Sequence, residues 1–235
     1  MGCSSSPTIE YSNKSPTKEI TASSSNELQV KTIEFGKYVG QIVNDKMEGK
    51  GKFYWSNGDR YEGDYKNDKR EGKGIYFYKN GNKYDGMFKD NKFNGFGIFY
   101  YNNGDRYEGE YKNDIMEGKG IYYYLSGEKY DGDWKNDIRE GKGTYYWNNG
   151  NKYVGDYKKD IREGKGILYY KNGNRYEGDF KGGTFDGNGI LFFNNGDRYE
   201  GKFVNDKLHG KGVFYYKDGK SEKRKYNEDA LVYRE

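Results

Sequence analysis

Between residues 38 and 221 the apolar and polar positions follow one phrase, repeated without a slip. A tyrosine opens each copy, at Tyr38, Tyr61, Tyr84, Tyr107, Tyr130, Tyr153, Tyr176 and Tyr199, always 23 residues apart. In the second copy, positions 60 to 66 alternate charged residues with Tyr61, Gly63 and Tyr65, the period of two expected of a strand. Asn67 to Glu71 reads as a polar loop. Gly72 to Lys79 is aromatic and β-branched, which predicts a second strand. Asn80-Gly81 lies between two such runs and predicts a two-residue hairpin turn with positive φ at both residues. A fixed period of this length is the mark of a repeat array. Of the 36 glycines, 32 occupy four fixed places in the copies, so the spacing is not scatter. The predicted fold is all-β: an elongated array of antiparallel β-hairpins forming a single twisted or curled sheet of at least sixteen strands.

A two-residue turn at Asn80-Gly81 sets a register. Phe77 then faces Tyr84 and Ile75 faces Gly86. Ile75, Phe77, Tyr84 and Phe88 share one face, with Gly86 leaving room under a ring. Tyr76 and Tyr78 lie on the other, among Lys83, Asp85 and Met87. A slip of one residue exchanges the faces. This register predicts a continuous aromatic stripe in need of cover, with Phe77, Tyr84 and Phe88 as partner-contact residues. Two departures from the phrase add candidates. Lys181-Gly182-Gly183-Thr184-Phe185 replaces the usual Asn-Asp loop, and Ile115, Ile138 and Ile161 stand on successive loops where most other copies have lysine. An apolar edge built from these isoleucines, with Phe185, is a candidate partner contact.

Composition narrows the picture. Hydrophobic residues make up 32% of the chain, and tyrosine supplies much of that, so burial has to be local to stacked copies. Net charge is +4 from 41 basic and 37 acidic residues, too balanced for a nucleic-acid partner. The charges run in columns: Arg60, Lys83, Arg106 and equivalents precede each tyrosine, and Glu62, Asp85, Glu108 and equivalents follow it. A second column, Lys50, Lys73, Lys119, Lys142, Lys165 and Lys211, is broken by Phe96 and Asn188. It supports an alternative reading, a module that binds phosphoinositides or other anionic phospholipids.

The first residues, Met1-Gly2-Cys3-Ser4-Ser5-Ser6, match the pattern for N-myristoylation of Gly2. One such chain holds a protein only weakly, and Cys3 beside it is placed for palmitoylation. Cys3 is the single cysteine, so no intrachain disulfide forms, consistent with a reducing compartment. The expected organisation is a disordered acylated tether over 1–31, eight repeats over 32–221 and a C-terminal cap over 222–235. Leu231, Val232 and Tyr233 would cover the last repeat. The expected site of action is the cytoplasmic face of a membrane: plasma, cortical or ciliary.

Catalytic chemistry is not expected. The one histidine, His209, stands where other copies have Glu71, Glu117, Glu140 or Glu163, and reads as a turn residue. No metal, cofactor or nucleophile set can be assembled from one histidine and one cysteine. The phrase Tyr-x-Gly-x-aromatic, six residues, Gly-x-Gly, aromatics and a closing Gly resembles the MORN repeat (membrane occupation and recognition nexus) in all eight copies. The resemblance implies an elongated hairpin scaffold that binds proteins along its groove, self-associates as a homodimer, or touches phospholipid. The leading expectation is a non-enzymatic, membrane-anchored scaffold whose protein partner is unknown.

Overall fold

Asn67 and Asp68 have φ of 49° and 64°, so this pair forms the two-residue hairpin turn. Both residue types tolerate the left-handed region because a short polar side chain bonds locally there. The segment expected to be a polar loop is therefore a tight turn followed by strand β5 (Lys69–Phe77). The Asn-Gly turn is longer than expected. Tyr78 N–H donates to Asn82 O at 3.0 Å, and Gly81 N–H to Tyr78 O at 3.0 Å. Lys79, Asn80 and Gly81 thus form a three-residue loop closed by Gly81 at φ 92°, a position glycine reaches without a steric penalty.

That extra residue shifts the register by one. β5 pairs with β6 (Lys83–Lys89) so that Tyr76 faces Tyr84, Phe77 faces Lys83 and Gly74 faces Gly86. Tyr76, Tyr78, Tyr84 and Phe88 share one face. Ile75 and Phe77 belong to the other, against expectation, because a one-residue slip reverses every side chain of a strand.

The structure, a computed structural model, describes residues 28–235; Gly2 and Cys3, the residues expected to be acylated, lie outside them. The described residues form nineteen antiparallel strands in one open sheet, each pairing with the next in sequence. The sheet begins with β1 (Gln29–Ile33), taking in residues that spacing alone leaves in the tail. At the far end β18 (Ser221–Asn227) and β19 (Ala230–Arg234) form a last hairpin. There the phrase fails in sequence, yet Tyr226 still supplies the aromatic ring of its column, edge-on to Tyr199 at 5.4 Å. Leu231, Val232 and Tyr233 do not cover the last repeat; all three are exposed on the edge strand.

The core is a single layer on the tyrosine face. The opening tyrosines, Tyr38 to Tyr199, are 0–1% exposed. Each ring lies flat on a floor of paired glycines: a Cβ added to Gly97 would stand 2.5 Å from Cε2 and Cζ of Tyr84, well inside contact distance. Tyr84 Oη donates to Met87 O at 3.0 Å, satisfying the one polar atom the ring buries. β7 (Lys92–Tyr100) bends at this point. Its pairing jumps from Gly86–Gly97 to Phe88–Phe93, leaving Asn94, Gly95 and Phe96 opposite Met87 alone. Gly95, at φ 102°, makes the bulge. A roof residue lies nine places after each opening tyrosine: Met47, Arg70, Phe93, Met116, Arg139, Arg162, Phe185 or Leu208. Phe93 stacks on Tyr84 and Phe185 on Tyr176, both at 3.7 Å. The arginines lie over Tyr61, Tyr130 and Tyr153 at 5.6–5.8 Å.

Hydrogen bonds staple the turns of neighbouring repeats. Asp114 Oδ1 accepts from Phe93 N–H at 2.8 Å, and Asp114 N–H donates to Phe93 O at 3.0 Å. Glu71 accepts from Asp90 N–H at 2.9 Å, which accounts for the regular acid at that place. His209, on strand rather than in a loop, replaces that acid and leaves Nδ1 buried without a partner. At the opposite edge Asp59 accepts from Lys79 N–H and from Tyr76 Oη, both at 2.9 Å. Burial works against ionising Asp59, but these bonds outweigh it and hold the carboxyl below its ordinary range.

Candidate functional site

The tyrosine row that sequence offered as a groove is filled. Tyr84 is 0%, Phe88 2% and Phe185 6% exposed. All three are core, Tyr84 and Phe88 beneath the roof row and Phe185 part of it, and offer no surface. Phe77 is half-buried on the reverse face with the Arg60 guanidinium 4.1 Å above its ring. Six further cations cover rings there in the same way at 3.9–4.5 Å, so the column from Arg60 to Arg198 is a cation–aromatic ladder.

A second aromatic row remains half-exposed on the tyrosine face, beside the three-residue loops. It runs Trp55, Tyr76, Tyr78, Phe99, Tyr101, Tyr122, Tyr124, Tyr145, Trp147, nine rings with neighbouring centroids 4.6–6.0 Å apart. Leu168 then interrupts it, and Tyr170, Phe193, Phe214 and Tyr216 continue beyond. The register expected from sequence hides this row, because it puts Tyr76 and Tyr78 on the opposite face to Tyr84. Its signal is nonetheless in the chain: an aromatic residue stands three places before the loop glycine of every copy.

Ile115, Ile138 and Ile161 are the first residues of β9 (Ile115–Tyr123), β11 (Ile138–Tyr146) and β13 (Ile161–Tyr169), not loop residues. They pair with Lys112, Lys135 and Lys158. Ile161 is 47% exposed, the other two half-buried. Ile161 forms one wall of a cleft of about 360 Å³ with Arg139, Tyr145, Trp147, Tyr157, Asp160, Arg162 and Gly183. One residue from each sequence departure, Ile161 and Gly183, meets the other in this cleft at the end of the nine-ring row.

The reverse face has a wider trough of about 750 Å³ around Thr144, Val154 and Ile167, flanked by Lys119, Lys142 and Lys165. These lysines are not free cations. Lys119 pairs with Asp133 at 2.5 Å, Lys165 with Asp179 at 2.5 Å, and Lys142 with Asp156. Lys119, Lys142 and Lys165 therefore meet a lipid phosphate only by exchanging one exposed, weak ion pair for another. Among the described residues no group of three His, Cys, Asp or Glu side chains is placed to hold a metal ion.

An open single-sheet meander of hairpins, with a core on one face and an aromatic row left half-bare, defines a repeat scaffold. The MORN repeat model matches residues 38–60, 61–83, 84–106, 107–129, 130–152, 153–175, 176–198 and 199–221, and the chain belongs to the MORN-repeat family. Comparison with curated proteins returns no match. Among solved structures, the wild-type TCP10 domain of CPAP from Danio rerio is similar at 10% identity and a TM-score of 0.51, covering 88% of this chain and 99% of that one. At that identity the likeness concerns the fold alone. The TCP domain of SAS-4 from Drosophila melanogaster, solved with a proline-rich motif of Ana2, matches at 12% identity over 84% of this chain and 99% of that one. Its TM-score of 0.44 is too low to bear on function.

Proposed function

We propose that the protein is a non-enzymatic scaffold, anchored to the cytoplasmic face of a membrane through acylated Gly2 and Cys3, that presents its half-exposed aromatic row to a protein partner. The observation that carries this reading is the run of nine adjoining rings from Trp55 to Trp147 on one face. The array roofs its opening tyrosines completely but leaves this second row partly in water. Aromatic rings arranged on a rigid support are the usual anchors of protein interfaces, since they bury large areas at small entropic cost. Membership of the MORN-repeat family is consistent with such a role.

The test separates the two halves of the proposal. Tyr78→Ser, Tyr101→Ser and Tyr124→Ser together remove three half-exposed rings without touching the fully buried row. The variant is expected to stay folded by circular dichroism and to lose its partner or its self-association in size-exclusion chromatography with light scattering. Unchanged association would refute the aromatic-row half. For the membrane half, Gly2→Ala is expected to move the protein from the membrane to the soluble fraction of its own cell; retention on membranes would refute it.

A further inference from the structure

Arg139 of the fifth repeat is met by the turn of the next repeat. Its Nε and its backbone N–H both donate to Asp160 Oδ1, at 3.0 and 2.9 Å, and its Nη2 donates to Asp160 O at 3.0 Å. Arg70 is met in the same way: its backbone N–H reaches Asn91 Oδ1 at 2.8 Å and its Nη2 reaches Asn91 O at 2.6 Å. The backbone donor of this column also finds a carboxylate at Met47, Phe93, Met116, Phe185 and Leu208. Arg162 repeats the geometry one step after Arg139. Its guanidinium lies over Tyr153 and Phe180 at 5.6 and 5.5 Å and beside Trp147 at 5.8 Å.

The residue facing Arg162 is Gly183. The backbone part of the staple is kept: Gly183 N–H donates to Arg162 O at 3.0 Å, and Gly183 O accepts from Arg162 Nη2. What is missing is the carboxylate. The space for it is open, since a Cβ added to Gly183 would meet only Ile161 Cγ2, at 3.9 Å. The cleft around it holds about 360 Å³ and is lined by two arginines and one aspartate, a net positive wall with Trp147 and Ile161 as apolar surface.

We infer that this cleft binds an aspartate or glutamate side chain of an acidic segment on the protein partner, with the carboxylate taking the place that Asp160 fills beside Arg139. The inference rests on the proposed partner-binding role of the aromatic row and gives that row a specificity element at its end. The chain itself supplies the template, because the preceding repeat solves the same geometry with a carboxylate. Beside Arg139 one carboxylate oxygen takes a charge-assisted bond from Nε together with the backbone N–H, whereas the neutral Asn91 side chain beside Arg70 takes the backbone bond alone. Trp147 and Ile161 would cover the methylene groups and shield the pair from water.

The experiment selects random 12-residue peptides displayed on phage against the full chain and measures the recovered peptides by fluorescence anisotropy. The expected result is an enrichment of Asp or Glu. Their binding should weaken by at least roughly tenfold in Arg162→Gln, the scale of a hydrogen bond to a charged group. Gly183→Asp should weaken it similarly, because the chain then fills its own site. Aspartate is tolerated in such a turn, as Asp160 at φ 66° shows against φ 89° for Gly183. Gly183→Asp should also raise the thermal midpoint, and by more in the native background than in Arg162→Gln, where only the backbone bond to the new carboxylate remains. Peptides without acids, or bound equally by both variants, overturn the inference; if they still lose binding in the Tyr78, Tyr101 and Tyr124 variant, the scaffold reading stands. Peptides indifferent to those three rings, or no peptide at all, count against both.

Discussion

Replacing Gly97 with alanine tests the glycine floor on which the array is built. The new Cβ would sit 2.5 Å from Cε2 and Cζ of Tyr84, and closer still to Oη, where ordinary contact begins at 3.4 Å. The ring has nowhere to lift. Phe93 is stacked 3.7 Å away on its other side, and Phe88 and Tyr111 close its edges at 5.2 and 5.3 Å. A methyl forced into a packed core costs about 1–3 kcal/mol. With both sides of the ring blocked, the upper end, about 3 kcal/mol, is expected, a large part of a domain's stability. The assay is urea unfolding of the full chain carrying Gly97→Ala, Tyr84→Ala and the pair. If the alanine acts by unseating Tyr84, the two losses should fall short of additivity by at least about 1 kcal/mol, within the range for residues in contact. Strict additivity, or a loss near zero for Gly97→Ala, would refute the floor.

Alkaline pH should unfold the array sharply. Burial raises the phenols of the opening tyrosines above their ordinary value, Tyr38 and Tyr199 to about 12 and the rest further. A raised folded-state value means stability that is complete below the unfolded value near 10 and lost as pH rises beyond it. Each group removes about 1.4 kcal/mol per pH unit in that window, so eight together remove about 11 kcal/mol, the size of a domain's whole stability. Circular dichroism should show collapse within about one unit above pH 10, and a fold intact at pH 12 would contradict the buried phenols. On the acid side, hydrogen bonds outweigh burial and depress Asp59 and Asp105. Their stabilisation is present above the ordinary carboxylate range and lost as pH falls through it, so Asp59→Asn with Asp105→Asn should flatten the acid limb of a thermal-midpoint profile. Phe185→Ala should cost about 3–5 kcal/mol in urea unfolding, as for a buried core aromatic; a negligible loss would return Phe185 to the surface.

Much of this architecture was legible in the chain. The 23-residue spacing, the period-two alternation and the turn residues give hairpins, a single sheet and the sixteen strands of the repeats, but not all nineteen. The register was not legible, because two turn types compete in each copy. Asn80-Gly81 has the chemistry of a two-residue turn but closes a three-residue loop. Asn67-Asp68 looks like part of a polar loop but is the tight turn. Both use left-handed residues, and one residue of difference moves Tyr76, Tyr78, Ile75 and Phe77 across the sheet. Phe185 was misplaced for a related reason. Beside Gly182-Gly183 it looks like a loop anomaly, yet it holds the roof position nine after Tyr176, where Phe93 stands nine after Tyr84. The arginines of that column conceal their role because their stems and flat heads cover rings while their charge suggests solvent. The missing carboxylate opposite Arg162 becomes visible only when the turn of each repeat is aligned with the roof residue of the repeat before it.

The central claim is that a partner is held on the half-exposed aromatic row. Proximity labelling in the protein's own cell, with the full chain and with its Tyr78→Ser, Tyr101→Ser, Tyr124→Ser variant expressed at equal levels, tests it most directly. The account predicts a small set of neighbours labelled by the native chain and lost from the variant, while both proteins remain folded and share one distribution between membrane and soluble fractions. The same neighbours labelled equally by both would contradict it.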